Sequence, residues 1–226
     1  MTSLRGRKSK PKIDYTSPTR VEKIFAALDK LFPRAECALL HEHAFQLLVA
    51  TILSAQCTDE RVNKVTPELF RKYPKVQDFA SLNQEILERE IHSTGFFRNK
   101  AKNIIGGAKK IVADFGGQVP RTMDEMLTLP GVARKTANVV LGTAFGLPTG
   151  VVVDTHVFRI ASRLKLTKQT TPEKVEQDLI KLVPQERWIS FGHQVIWFGR
   201  KVCAARKPLC AQCPIESLCD SPDKTV

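Results

Sequence analysis

Apolar residues in this chain recur at spacings of three and four along most of its length, and that period restricts the fold to short packed helices. Val21, Ile24, Phe25, Leu28 and Leu31 follow it, as do Ile104, Ile105, Ala108, Ile111 and Val112, and later Val175, Leu179 and Leu182. Breakers at Pro33, Pro74, Gly95, Gly116-Gly117, Pro130-Gly131, Pro148 to Gly150 and Pro184 cut the pattern into separate elements. Only VVVD, residues 151–154, has a strand-like composition, and it leads directly into another helical stretch. The predicted class is all-α, with the boundary between a middle bundle and a C-terminal part at LPTG, residues 147–150. The longest apolar runs, such as FQLLVATIL over 45–53, fall short of the roughly 20 residues that span a bilayer, so no membrane segment is expected.

The stretch LPGVARKTA, residues 129–137, raises a question of chemistry. Thr122-Met-Asp-Glu125 has the form of a capping box, which predicts a helix from about Met123 to Leu127. Leu129 to Ala133 is long enough only for a tight turn, and helical spacing resumes at Arg134. At the start of that second helix the first backbone N–H groups lack intrahelical partners and form a site for a phosphate. Gly131 has no side chain to hold a strand away. Lys135 then falls at the positive end of the helix dipole, which disfavours a further positive charge.

The formal net charge of +12 favours a polyanionic partner, nucleic acid or an acidic membrane surface. The N-terminal MTSLRGRKSKPK carries five basic residues and no acid, with no apolar region to make it a secretory signal; it reads as a disordered basic arm. Of the six cysteines, Cys203, Cys210, Cys213 and Cys219 crowd together. In a chain without an export signal such a cluster asks for a metal rather than disulfides, and the spacing alone leaves zinc and an iron–sulfur cluster both open. Cys37 and Cys57 are expected to be ordinary buried thiols. Asp154, before a helical stretch, is expected to cap it.

Taken together, LPGVARKTANVV, VDTHVFR at residues 153–159, SAQ at 54–56 and the spacing C-x6-C-x2-C-x5-C resemble the endonuclease III family of DNA base-excision glycosylases, over about residues 21–219. The resemblance implies a two-domain helix-hairpin-helix glycosylase fold with the active-site cleft between the domains. A six-helix bundle would occupy 37–148, with the hairpin motif at about 123–145, and a discontinuous iron–sulfur domain 21–36 and 149–219. Residues 1–20 would form the arm and 220–226 a short tail.

It implies Lys135 as the nucleophile that attacks C1′ of a damaged nucleotide, and Asp154 as its catalytic partner. The nucleophile must be a neutral amine, so the helix N-terminus and partial burial are expected to lower its pKa. It implies a [4Fe–4S] cluster on Cys203, Cys210, Cys213 and Cys219, steadying a basic loop with Arg206 and Lys207 against the DNA backbone. Leu129, Gly131, Ala133 and Arg134 become DNA contacts, Ala133 standing where the hairpin often has a second glycine, and His156 is placed near the site. Gln56 and Phe96 become the two residues that wedge into the duplex once the nucleotide is rotated out; the wedge is usually a leucine, and Phe97 beside Phe96 leaves open which ring faces outward.

The implied partner is double-stranded DNA carrying an oxidised pyrimidine such as thymine glycol, or an abasic site, bound by a monomer in the cytoplasm, at the nucleoid if the source is bacterial. A related branch that removes adenine from mismatches lacks the lysine and carries a further C-terminal domain, whereas this chain ends seven residues after Cys219. The alternatives are a glycosylase specific for pyrimidine dimers and a non-catalytic DNA-binding module.

Overall fold

Helix-initiating signals are used where the sequence places them. In the computed structural model, which describes residues 14–225, eleven α-helices follow one another: α1 (Pro18–Leu31), α2 (Ala44–Leu53), α3 (Asp59–Lys72), α4 (Val76–Ser81), α5 (Gln84–Ile91), α6 (Phe97–Asp114), α7 (Met123–Leu127), α8 (Arg134–Phe145), α9 (Thr155–Arg163), α10 (Pro172–Leu182) and α11 (Trp188–Lys201). Proline opens α1 and α10, where its missing N–H costs no helical bond. Thr58, Asn83, Thr122 and Asp154 cap α3, α5, α7 and α9 with side-chain oxygens. No strand occurs among the described residues. VVVD is extended but unpaired, since Val151 and Val153 are instead buried against helices.

The apolar faces converge on two cores. The first is built from α2 to α8, with Leu47, Leu53, Phe79, Leu87, Ile104 and Leu141 among its most buried side chains. The second joins α1 to α9, α10 and α11 through Ile24, Leu28, Val157, Leu179, Phe191 and Phe198. The chain crosses between the cores twice, once from α1 to α2 and once from α8 to α9. Cys37 and Cys57 pack half-buried against the first core rather than lying fully inside it.

Residues 1–13 of the expected arm lie outside the described residues. Those from 14 to 20 do not form an arm. The Tyr15 hydroxyl donates to Asp220 at 2.6 Å, α1 begins at Pro18, and the guanidinium of buried Arg20 donates to the carbonyls of Leu164 and Leu218 at 2.8 and 2.6 Å. The expected tail is likewise engaged, with Asp223 accepting from Arg163 and Lys224 pairing with Glu216, both at 2.5 Å.

Candidate active-site cleft

The hairpin between α7 and α8 is seated on α6. Gly131 has φ +74°, and a Cβ there would lie 2.5 to 2.8 Å from three side-chain atoms of Asn103. The glycine is therefore required by the backbone conformation and by packing, apart from any approaching strand. Ala133, the N-cap of α8, has φ −92° and ψ 169°, a region natural to alanine, and gives no side-chain cap. The opening N–H groups of α8 thus have no side-chain acceptor from that residue, and both Ala133 and Lys135 are exposed beside them. Leu129 differs from expectation: it is 2% exposed in the first core, with its N–H and C=O bonded to Met126 and Val132, so its side chain is not available to DNA. In the capping box Glu125 accepts from the Thr122 hydroxyl at 2.7 Å, in addition to Thr122 accepting from the Glu125 N–H at 3.3 Å.

Arg134 does not point freely outward either. Its Nε donates to Glu176 of α10 at 2.9 Å, and the same carboxylate, 6% exposed, accepts from Asn138 Nδ2 at 2.9 Å. A buried carboxylate needs such partners, and here they fasten the first turns of α8 to the second core.

Asp154 stands at the second crossing. Its Oδ1 accepts from the N–H groups of His156 and Val157, each at 2.8 Å, while Oδ2 makes no hydrogen bond among the described residues. One oxygen caps α9 and the other remains for the cleft. That cleft, about 110 Å³ in cavity volume, is lined by both Lys135 and Asp154, with walls drawn from both cores. Gly142 and Thr143 of α8 face Ile189, His193 and Trp197 of α11, and Glu36 to Leu39 close one side. Arg200 of α11 pairs with Asp59 at the start of α3, an ion pair between elements of the two cores.

Burial pushes the His193 imidazole below its ordinary pKa, favouring a neutral ring whose Nε2 lies 3.3 Å from the Thr143 hydroxyl. Burial likewise raises the Cys37 thiol. Sequence reasoning did not find these wall residues, because they come from segments as far apart as Glu36 and Arg200 and carry no shared motif.

His156 is absent from the cleft lining. Its Nδ1 accepts from Arg159 Nη2 at 3.1 Å, and Arg159 also donates to the carbonyls of Gly199 and Cys203. Burial first, then nearby Arg159 and Arg200, hold the imidazole below its ordinary pKa, against the opposing pull of Asp154. Its place is as a link between α9, α11 and the cysteine loop.

Gln56 and Phe96 are both exposed, at the tips of the loops after α2 and before α6. Phe96 is 64% exposed, whereas Phe97 packs toward the first core against His92, ring centroids 4.4 Å apart. Both tips adopt a left-handed backbone, φ +53° at Gln56 and +46° at Phe96. So does Lys207, which is exposed with Arg206 in the loop after Cys203. Non-glycine residues held in this region store strain, which collects at functional tips.

Cys203, Cys210, Cys213 and Cys219 line a single cavity. Among the described residues no three Cys, His, Asp or Glu side chains converge closely enough to hold one metal ion. Four cysteine sulfurs around one cavity are a ligand set that suits either zinc or an iron–sulfur cluster. Arg163 Nη1 donates to Cys203 Sγ at 3.2 Å, the kind of contact that steadies a thiolate.

Comparison with known proteins agrees with this geometry. Residues 49–185 match the model of the HhH-GPD superfamily base excision DNA repair protein. Endonuclease III of Synechocystis is 59% identical over 202 residues, 89% of this chain and 92% of that protein. Endonuclease III of Escherichia coli is 40% identical, over 89% of this chain and 95% of its own length. Among solved structures, a non-covalent endonuclease III–DNA complex superimposes with a TM-score of 0.86 at 44% identity, covering 90% of this chain and 95% of that one. A trapped endonuclease III–DNA covalent intermediate matches equally well.

Proposed function

The chain belongs to the endonuclease III family within the HhH-GPD superfamily of base excision DNA repair proteins, and on that footing we propose that it is a bifunctional DNA glycosylase and abasic-site lyase acting on oxidised pyrimidines in duplex DNA. The observation that carries this reading is the cleft shared by Lys135 and Asp154, an amine and a carboxylate brought together from α8 and the start of α9.

In this reaction the neutral amine of Lys135 donates its lone pair to C1′, the glycosidic C–N bond breaks, and the base leaves with a proton. The sugar ring opens to a Schiff base between Lys135 and C1′. Loss of a C2′ proton then expels the 3′ phosphate and cuts the strand. Asp154 stabilises positive charge developing on the sugar or takes up a proton through Oδ2, the oxygen not engaged in capping. The N–H groups opening α8 hold a phosphate of the damaged strand.

Gln56 and Phe96 fill the gap left by the rotated nucleotide, their exposure and left-handed backbone suiting two projecting tips. The four C-terminal cysteines, which line one cavity, would hold a [4Fe–4S] cluster, whose bonds to them would tie down the loop bearing Arg206 and Lys207. The work is assigned to the cytoplasm, at the nucleoid, a reading supported by the bacterial relatives, and to a monomer, because one chain supplies both walls of the cleft.

Borohydride trapping tests the reading. Wild-type protein incubated with a thymine glycol duplex and borohydride should form a covalent adduct that Lys135→Ala abolishes; no wild-type adduct would overturn it. A duplex bearing a pyrimidine dimer, processed faster than thymine glycol, would instead select the dimer-specific alternative. Asp154→Asn keeps a capping oxygen and removes the charge, so it should slow the chemical step about 100-fold or more while leaving DNA affinity within a few-fold.

A further inference from the structure

Lys100 plays no part in the chemistry above, yet it is among the least exposed charged residues described, at 4%. It lies in the first turn of α6, in phase with Ile104, Ala108 and Ile111. An ammonium there is disfavoured twice, by removal from water and by the positive end of the helix dipole. Burial accordingly pulls its pKa below the ordinary lysine value. Two hydrogen bonds offset that cost: Nζ donates to the carbonyl oxygens of Leu53 and Thr94, each at 2.8 Å.

Those carbonyls belong to the stems of two different loops. Leu53 ends α2, and Gln56 follows three residues later; Thr94 ends a 3-10 turn, and Phe96 follows two residues later. Four non-glycine residues have positive φ among those described. Lys165 owes its conformation to the end of α9, where the Leu166 N–H reaches back to Ala161, and Lys207 lies in the cysteine loop. The other two are the tips of the loops that Lys100 joins.

We propose that Lys100 is a positioning residue whose ammonium clamps the two loop stems together, so that Gln56 and Phe96 meet the duplex as one prealigned pair. The inference rests on the assignment of those two residues as gap fillers. With the clamp intact, the entropy of ordering two separate loops is removed before DNA arrives. Without it, each loop is ordered at the expense of binding to a gapped duplex, while a substrate that needs no gap filling is unaffected.

The test measures three quantities on the full-length protein: the preference for a tetrahydrofuran-containing duplex over undamaged duplex, the fluorescence of 2-aminopurine opposite the tetrahydrofuran, and the cleavage rate of a single-stranded abasic oligonucleotide. Lys100→Met keeps the apolar stem and removes the donors. It should lower the duplex preference about tenfold, change the 2-aminopurine signal, and leave single-strand cleavage within about twofold. In a Gln56→Ala/Phe96→Ala background the same substitution should add less than about twofold, because the residues it acts through are gone. Lys100→Gln, which keeps a donor for one carbonyl, should give an intermediate loss and serves the same test if the methionine variant does not fold.

If truncating Gln56 and Phe96 leaves the duplex preference unchanged, the gap-filling assignment fails and the clamp with it. If those truncations lower the preference but Lys100 variants do not, only the clamp is overturned. It is also overturned if the effects are fully additive, or if single-strand cleavage falls in step.

Discussion

The first core and the C-terminal cysteine loop are held by different means. From α2 to α8, apolar side chains from seven helices meet in a common interior, and burial of that surface supplies most of the stability. Beyond α11, only short 3-10 turns form, and among the described residues Ile215 alone of that segment's hydrophobic side chains is buried. Its backbone is fastened instead by arginines projecting from helices. Arg20 bonds Leu218, Arg159 bonds Cys203, and Arg163 bonds Ala204 and Ala205. A segment with few fully buried apolar side chains can still be ordered when charged donors satisfy its carbonyls, but each tie then carries a larger share of the load.

Breaking the metal group should have the largest effect on this contrast. Cys213→Ser should abolish the visible absorbance of an iron–sulfur protein and destabilise the second half on the order of 5 kcal/mol. Limited proteolysis should then cut within 202–225 before α2 to α8; simultaneous digestion of both would contradict two separate modes of support. Leu141→Ala, at a site 0% exposed in the first core, should cost about 3 kcal/mol in urea denaturation and leave the absorbance intact. Arg163→Met should cost about 2 kcal/mol, since its charged hydrogen bonds run to three consecutive residues, 203 to 205; a loss near zero would show that the loop does not depend on its arginines.

Gly131→Ala should cost about 1–2 kcal/mol through its left-handed backbone alone, with Asn103 forced to move, whereas Ala133→Gly should change stability far less. Asp29→Asn should have the smallest effect. The Arg187 hydrogen bond holds the Asp29 carboxyl below its ordinary pKa. Its contribution is therefore present above the unfolded carboxylate value and lost as pH falls through the folded one. With the pair partly exposed, the difference at pH 7 should be about 0.5 kcal/mol and should vanish in acid.

Much of the site was legible because its signals are local. Thr122, Gly131 and Asp154 announce a cap, a turn and a cap, each acting on residues only a few positions away, and local backbone chemistry fixes what each does. The ion pair of Arg134 and the burial of Leu129 were not legible, for the opposite reason. An arginine at a helix start beside a DNA-binding turn gives no sign that Glu176, 42 residues on, will take its guanidinium. Leu129 looks like part of the turn, but its position over the first core draws it inside. Lys100 carried a faint signal, a lysine in the apolar phase of α6, yet the same pattern fits a solvated side chain on a helix flank.

Sequence by itself determined the helical periods, the caps at Thr122 and Asp154, the tight turn around Gly131 and the grouping of the four cysteines, since each depends on residues a few positions apart. Tertiary structure alone decided that the loop at 36–39, α8, the start of α9 and α11 would enclose one cleft, and that two distant loop stems would share one buried ammonium. The reason lies in the two crossings between the cores. They set which apolar faces meet and which polar groups are carried into the space between them, and no local period encodes that choice.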